Sequence, residues 1–255
     1  MLEWIYRGLG KRRITTRYPR VPEPAPEGFH GRIDVVSGEP VPPALAELCP
    51  TGAIAVDNAG SVSLDRGRCI LCGECVRALP QVFAFASVYE SAAGSRQALL
   101  TGPGAEQAPT GTGRPVLAYQ AAMLRRSVHV RHIDCGSDGA EEWEIQALWN
   151  PYYDIQRLGF FLTNSPRHAD VLLVTGPVTG PMRAPLERTW EVMPQPKALV
   201  AVGTDACGGG LHEWGGVDRI LPVDVYVPGS PPAPIAIMHG LLLAAGILTA
   251  GQVSA

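Results

Sequence analysis

Residues 69–80 read "CILCGECVRALP". Cysteines at 69, 72 and 75, with Pro80 behind them, match all but one element of the C-x2-C-x2-C-x3-C-P run in which thiolates hold an iron–sulfur cluster. The missing element is the fourth cysteine, whose position holds Leu79. Where two such runs interlock, the fourth cysteine of each serves the other's cluster. The partner of Cys69, Cys72 and Cys75 is therefore sought in an upstream Cys-Pro, and Cys49-Pro50 in "CPTGAI" supplies it. The interval "SGEPVPPALAEL" (37–48), where the other cluster's remaining cysteines belong, contains none. One ligand set is complete and the other wholly absent. The spacing predicts one 4Fe-4S cluster on Cys49, Cys69, Cys72 and Cys75. Zinc on the same four thiolates and free thiols are the alternatives; the order of spacings and Gly73 in the tight loop favour the cluster.

The rest of the chain fits an intracellular setting for such a site. Its 255 residues exceed the common size of one domain, and 46% hydrophobic residues suffice for a sizeable core. Twenty-nine glycines and 24 prolines imply many turns. A net charge of −3 gives no footprint for nucleic acid. "MLEWIYRGLGKRR" lacks the apolar core of a signal peptide. The longest apolar run, "PIAIMHGLLLAAGILTA", falls short of the ~20 residues a spanning helix needs. The expectation is a protein without export signal or transmembrane helix, whose six cysteines are ligands or free thiols rather than disulfides.

Residues 1–30 read as an amphipathic start followed by a proline-rich extended arm, "RYPRVPEPAPEGFHG". Residues 31–100 hold the cysteines and short strand-like runs, "AIAVD" and "SVSLD". "TGPGAEQAPTGTGRP" (101–115) reads as a linker. Beyond it, "VLLVTG" and "ALVAVG" are continuous apolar runs ending in glycine, as buried parallel strands do, and "DVYVPG" is a third. "APLERTWEVM" has helical spacing, with Pro185 tolerable only near a helix start, and "PPAPIAIMHGLLLAAGIL" reads as a closing helix. The fold class predicted is α/β: a small ferredoxin-like α+β domain (31–100), then a doubly wound parallel-sheet, flavodoxin-like domain (116–255). "TGPVTG" and "GTDACGGG" lack the lysine of a phosphate loop and read as strand-to-helix turns at the sheet's carboxyl edge.

Two resemblances sharpen this. "TTRYPRVPEPAPEGFHGRI" ahead of the cysteine run resembles the ferredoxin-type subunits of respiratory complex I and of membrane-bound group 4 nickel–iron hydrogenases such as formate hydrogenlyase, over about residues 1–85. It implies that the start and arm lie against membrane-side subunits. From residue 125, "IDCGS", "RLGFFLTNSPRHADVLLVTGPVTGPM", "MPQPKALVAVGTDACGGG" and "DRILPVDVYVPGSPPAP" resemble the small subunit of the same complexes, which carries a terminal 4Fe-4S cluster. The hydrogenase motif D-x-G-S-C-x-x-C-x-x-E is here "DCGSDGAEEWE", with Asp138 and Glu141 at the ligand positions and Glu144 at the motif's glutamate. Cys207 in "DACGGG" matches the third ligand, and Ser230 in "GSPP" stands where the fourth cysteine belongs.

Asp138, Glu141, Cys207 and Ser230 thus form a degenerate second site with three of four thiolates gone. An oxygen-rich set suits a single hard ion better than a cluster. Filling of the cavity by hydrogen-bonded side chains and a proton-transfer role for the acids are the other readings. Cys135 reads as a small buried residue. The resemblance implies a fusion of both subunits, peripheral at the cytoplasmic face of the cell membrane. Its partners would be a hydrogenase-like large subunit and integral membrane ion-translocating subunits. It would act as an electron-transfer subunit with one 4Fe-4S cluster and no catalytic residues of its own, or as a structural and coupling subunit in a complex whose redox relay is lost.

Overall fold

The computed structural model describes residues 9–10, 14–103, 117 and 127–248. Short alternating runs in the first part pair antiparallel, as half-buried strands do. They are β1 (Arg32–Val35), β2 (Ile54–Val56), β3 (Val62–Asp65), β4 (Phe83–Ala86) and β5 (Leu100–Thr101). β1 pairs with β4, setting Ile33 opposite Phe85, while β2, β3 and β5 form a second sheet in that order. One short helix, α1 (Glu74–Ala78), and a 3-10 turn over Pro43–Leu48 complete the unit. Ile33, Val41, Leu45, Ile54, Val62, Leu64 and Phe83 form its core together with Cys69 and Cys75. Thr101 pairs with Leu64, so the sheet runs one residue past the expected boundary at 100. Most of the expected linker (104–115) lies outside the described residues.

The second part is a five-stranded parallel sheet with helices on both faces. Its strands are β6 (Val128–Asp134), β7 (Phe160–Leu162), β8 (Val171–Thr175), β9 (Ala198–Val202) and β10 (Val225–Val227). The order β7-β6-β8-β9-β10 is the flavodoxin-like 2-1-3-4-5, with its switch point between β6 and β8. The helices are α2 (Ala140–Ala147), α3 (Gly180–Val192), α4 (Thr204–Gly208) and α5 (Pro234–Ala244). Alternation sorts the core: Val171, Leu173, Val200 and Val202 face α5 and α2, while Leu172, Val174, Leu199 and Ala201 face α3 and α4. β8 and β9 are buried at every position, which accounts for their unbroken apolar sequence.

α3 begins at Gly180, ahead of the stretch anticipated from its spacing, and carries Pro185 inside. Pro185 deletes one hydrogen bond, to the carbonyl of Pro181, and both residues are exposed, so water can satisfy that carbonyl. The closing helix does start at a proline, Pro234. None of the described helices is long and apolar enough to cross a membrane.

The arm lies on its own chain. Thr16 N–H donates to Tyr152 O at 2.8 Å, Arg157 donates to Tyr18 O at 2.6 Å, and Tyr18 is fully buried in the second unit's core. Residues 15–18 of the arm are held by the segment after α2, at Pro151, Tyr152 and Arg157; of the amphipathic start, residues 1–8 and 11–13 lie outside the described residues. The two units are joined as well. Ala93 and Tyr226 exchange backbone hydrogen bonds at 2.8 Å, and Ala98 and Leu99 pack into the α3–α4 face of the sheet.

Candidate functional site

Cys69 and Cys72 lie on a loop that turns twice through the left-handed region, at Leu71 (φ 57°) and Gly73 (φ 75°), and leads directly into α1, which carries Cys75. Gly73 is required there for space too, since a Cβ would lie 2.9 Å from Phe85 Cζ. Cys49 arrives from the end of the 3-10 turn. Its Sγ accepts the Ala53 N–H at 3.2 Å and lies 3.4 Å from Thr51 Oγ1. The backbone amides of Leu71 and Val76 favour the thiolate forms of Cys69 and Cys75. All four thiols are free. Burial pushes the Cys69 thiol up to about 12, and the charges of Cys75, Cys49 and Cys72 add to this; Cys75 is raised for the same reasons. Such thiols stay protonated until a metal displaces the protons, while the amides are arranged for the thiolate form. Leu79 packs into the same apolar cluster as Val41 and Leu45. Of the positions where the run's spacing would place the other cysteines, Leu45 is buried and Leu79 half-buried in this cluster, while Glu39 and Pro42 are exposed.

The four residues of the second site sit in different surroundings. Cys207 is fully buried and turns into the α3–α4 face, its Sγ 3.5 Å from Ala201 O, among the charges of Arg96, Asp65 and Asp218. Ser230 is exposed. Asp138 and Glu141 do come together, at the carboxyl edge beside the switch point. Glu141 is only 5% exposed, and a Cβ on Gly203 would meet its Oε1 at 2.4 Å. Gly203 (φ 89°) is thus the residue that lets the carboxylate fit. Burial first, then the charges of Asp138, Asp205 and Glu142, raise the Glu141 carboxyl to about 7, against the pull of its own backbone amide.

Asp205, two residues before Cys207, is the neighbour the motif reading missed, although "GTDACGGG" contains it. Its carboxylate lies 3.6 Å from His212 Nε2. A second missed group is His132, whose Nε2 lies 3.0 Å from Thr175 Oγ1 and 3.4 Å from Glu142 Oε1. Thr175 and Ser137 both donate to Glu142. Only the fold brings these positions together, since they come from β6, β8 and α2. Cys135 is fully buried, as expected of a packing residue, and its thiol is raised to about 12 by burial.

The two sites touch. Thr204, next to Gly203, donates its hydroxyl to Cys69 O at 2.9 Å and Gly229 O at 3.0 Å. Among the described residues, no three His, Cys, Asp or Glu side chains surround a position for a single metal ion.

Comparison with known proteins places the second unit. Residues 138–244 match the family model described as NADH ubiquinone oxidoreductase, 20 Kd subunit. A probable membrane-bound hydrogenase subunit, mbhJ, of Pyrococcus furiosus is 43% identical over 133 residues, covering 50% of this chain and 80% of that protein. The chain belongs to this family. Formate hydrogenlyase subunit 7 of Escherichia coli is 41% identical over 148 residues, 55% of this 20 Kd family chain. The match spans 58% of that relative's own length. A solved structure titled "Structure of the membrane-bound sulfane sulfur reductase (MBS), an archaeal respiratory membrane complex" aligns at a TM-score of 0.42 with 27% identity, over 54% of this chain and 80% of that one. The family match begins at Asp138, so the cysteine run at 69–75 lies outside it.

Proposed function

We propose that the chain is an iron–sulfur electron-transfer subunit of a membrane-associated, complex I-related hydrogenase or hydrogenase-like complex, holding one 4Fe-4S cluster on Cys49, Cys69, Cys72 and Cys75. The observation that carries this is the assembly of four free thiols from two separate segments, with amides directed at their sulfurs. Zinc fits less well. It would gather four sulfurs about 2.3 Å from one point, whereas the order of the spacings is that of a cluster loop, which gives one thiolate to each iron. When bound, the cluster supplies one-electron transfer. The residues present do the rest: Leu71, Ala53 and Val76 orient amides on the sulfurs, and Phe85 and Leu79 exclude water.

In this reading the first unit is a ferredoxin-type subunit fused to the 20 Kd family unit. Its partners are a hydrogenase-like large subunit and membrane ion-translocating subunits, and it sits peripherally at the cytoplasmic face. Trp143 on α2, and Leu211 and Trp214 on either side of His212, are all more than half exposed and offer apolar contacts for these partners.

A second reading, a structural and coupling subunit without redox relay, is favoured by one observation. At the second site Glu141, Asp138 and Asp205 gather where a cluster would be ligated, and Cys207 faces elsewhere. Iron and sulfide analysis with EPR on the anaerobically purified full chain tests the first reading. About four irons and one signal, lost in Cys72→Ser, are expected. About eight irons, or zinc without sulfide, would overturn it. In the intact complex, turnover unchanged by Cys72→Ser would decide for the coupling reading.

A further inference from the structure

Arg66, three residues before Cys69, is 5% exposed. One of its terminal nitrogens donates to Ala98 O at 2.7 Å, while its Nε is buried with no hydrogen-bond partner among the described residues. It lines, with Arg32, Cys69, Leu71, Ser91 and Gly229, a small space between the cluster loop and the PGSPP turn. The acids that reach Arg66 are already engaged: Asp34 with Arg32 at 2.8 Å, and Asp65 with Arg96. Among the described residues Arg66 has no ion pair. Burial, with the charge of Arg32 beside it, pushes its pKa down to about 10, which leaves it cationic at neutral pH.

A buried, unpaired cation is expensive to maintain unless an anion offsets it. A cluster held by four thiolates is such an anion. A fixed positive charge beside a one-electron centre also favours its reduced state, and charge and hydrogen bonding at the sulfurs are levers by which proteins set cluster potentials. We propose that Arg66 is a positioning charge that raises the reduction potential of the cluster on Cys49, Cys69, Cys72 and Cys75, with Arg32 held in reserve by Asp34. This rests on the single-cluster reading above.

The test is an EPR-monitored redox titration of the full chain, with iron counted in every sample. Arg66→Met keeps the length and removes the charge. It should shift the oxidised-to-reduced ratio at fixed ambient potential by roughly tenfold toward oxidised, about 59 mV for a one-electron couple. Arg66→Lys should stay near the unsubstituted chain. Asp34→Asn, at a partly exposed carboxylate, frees the Arg32 charge and should shift the potential the other way. Should Arg66→Met fail to fold, Arg66→Gln, which also removes the charge, is read in the same way. Arg66→Met with four irons and an unmoved potential would overturn the proposal, as would Arg66→Lys shifting as far as Arg66→Met, or Asp34→Asn leaving the potential in place. An unsubstituted chain lacking four irons would remove the cluster reading itself, and the proposal with it.

Discussion

The cysteine loop and the carboxylate loop lie on either side of Thr204, and each carries other residues where its motif would place a cysteine, but of opposite chemistry. In the first unit Leu45 and Leu79 stand at two of these positions and pack into a core, while Glu39 and Pro42 are exposed at the other two. In the second, Glu141 stands at such a position with a carboxyl group that is nearly out of water and surrounded by other acids. Apolar filling is stabilising and final. Acidic filling leaves a group whose charge state depends on pH, which is hard to explain by packing alone.

The largest test of this contrast is Cys49→Ser. If the distant cysteine completes the first site, iron should fall from about four per chain to near none and the EPR signal should vanish. Asp138→Asn, at the second site, should leave both unchanged. Equal loss in the two variants would mean that the carboxylate loop also holds metal.

Glu141→Gln probes the second site directly. Its carboxyl is raised from an ordinary 4.5 to about 7, so the folded chain holds this proton more tightly than the unfolded one. The stability due to that proton is complete below about pH 4.5 and is lost as pH rises toward 7 and beyond. By pH 8 the ionised carboxyl costs roughly 2–3 kcal/mol. Glu141→Gln should flatten this part of the stability–pH curve and be the more stable form at pH 8, by thermal or urea unfolding. An unchanged slope would mean that Glu141 ionises freely.

Legibility in the sequence followed the same division. β8, β9 and β10 were readable because full burial demands unbroken apolar runs, and Cys49 was singled out by its spacing to the cysteine run, where the fold does bring it near Cys69 and Cys75. β6 was not, since "VHVRHID" alternates with polar residues and ends in Asp134, which caps the following turn through Gly136 and Ser137 amides at 2.8 Å. Asp205 and His132 carried no spacing signal, because their neighbours come from other strands and helices. Cys207 matched a ligand position, but its direction depends on how α4 packs against β9, which no motif specifies.

Thr204→Val examines the link between the two loops. One buried hydroxyl serves two backbone carbonyls, Cys69 O and Gly229 O, and its loss leaves at least one buried acceptor unpaired. The expected cost is about 1–3 kcal/mol in stability. If the loops act together, the variant's EPR line shape should also change at full iron content. Lost stability with an unaltered signal would make the link purely structural.

The smallest effect is expected from Leu79→Cys, which restores the cysteine that the run lacks. A fourth thiol at 79 has no cluster to join, because its three partners belong upstream between residues 37 and 48, where Val41 and Leu45 now form core. Iron should stay at about four per chain and the EPR signal should keep its form. Leu79 is only partly buried, so the loss of its apolar contacts should cost about 1 kcal/mol, read as a small drop in thermal midpoint. A second signal or additional iron would show that the abandoned site can still be rebuilt from one residue. That result would break the contrast between a filling that is final and one that is not.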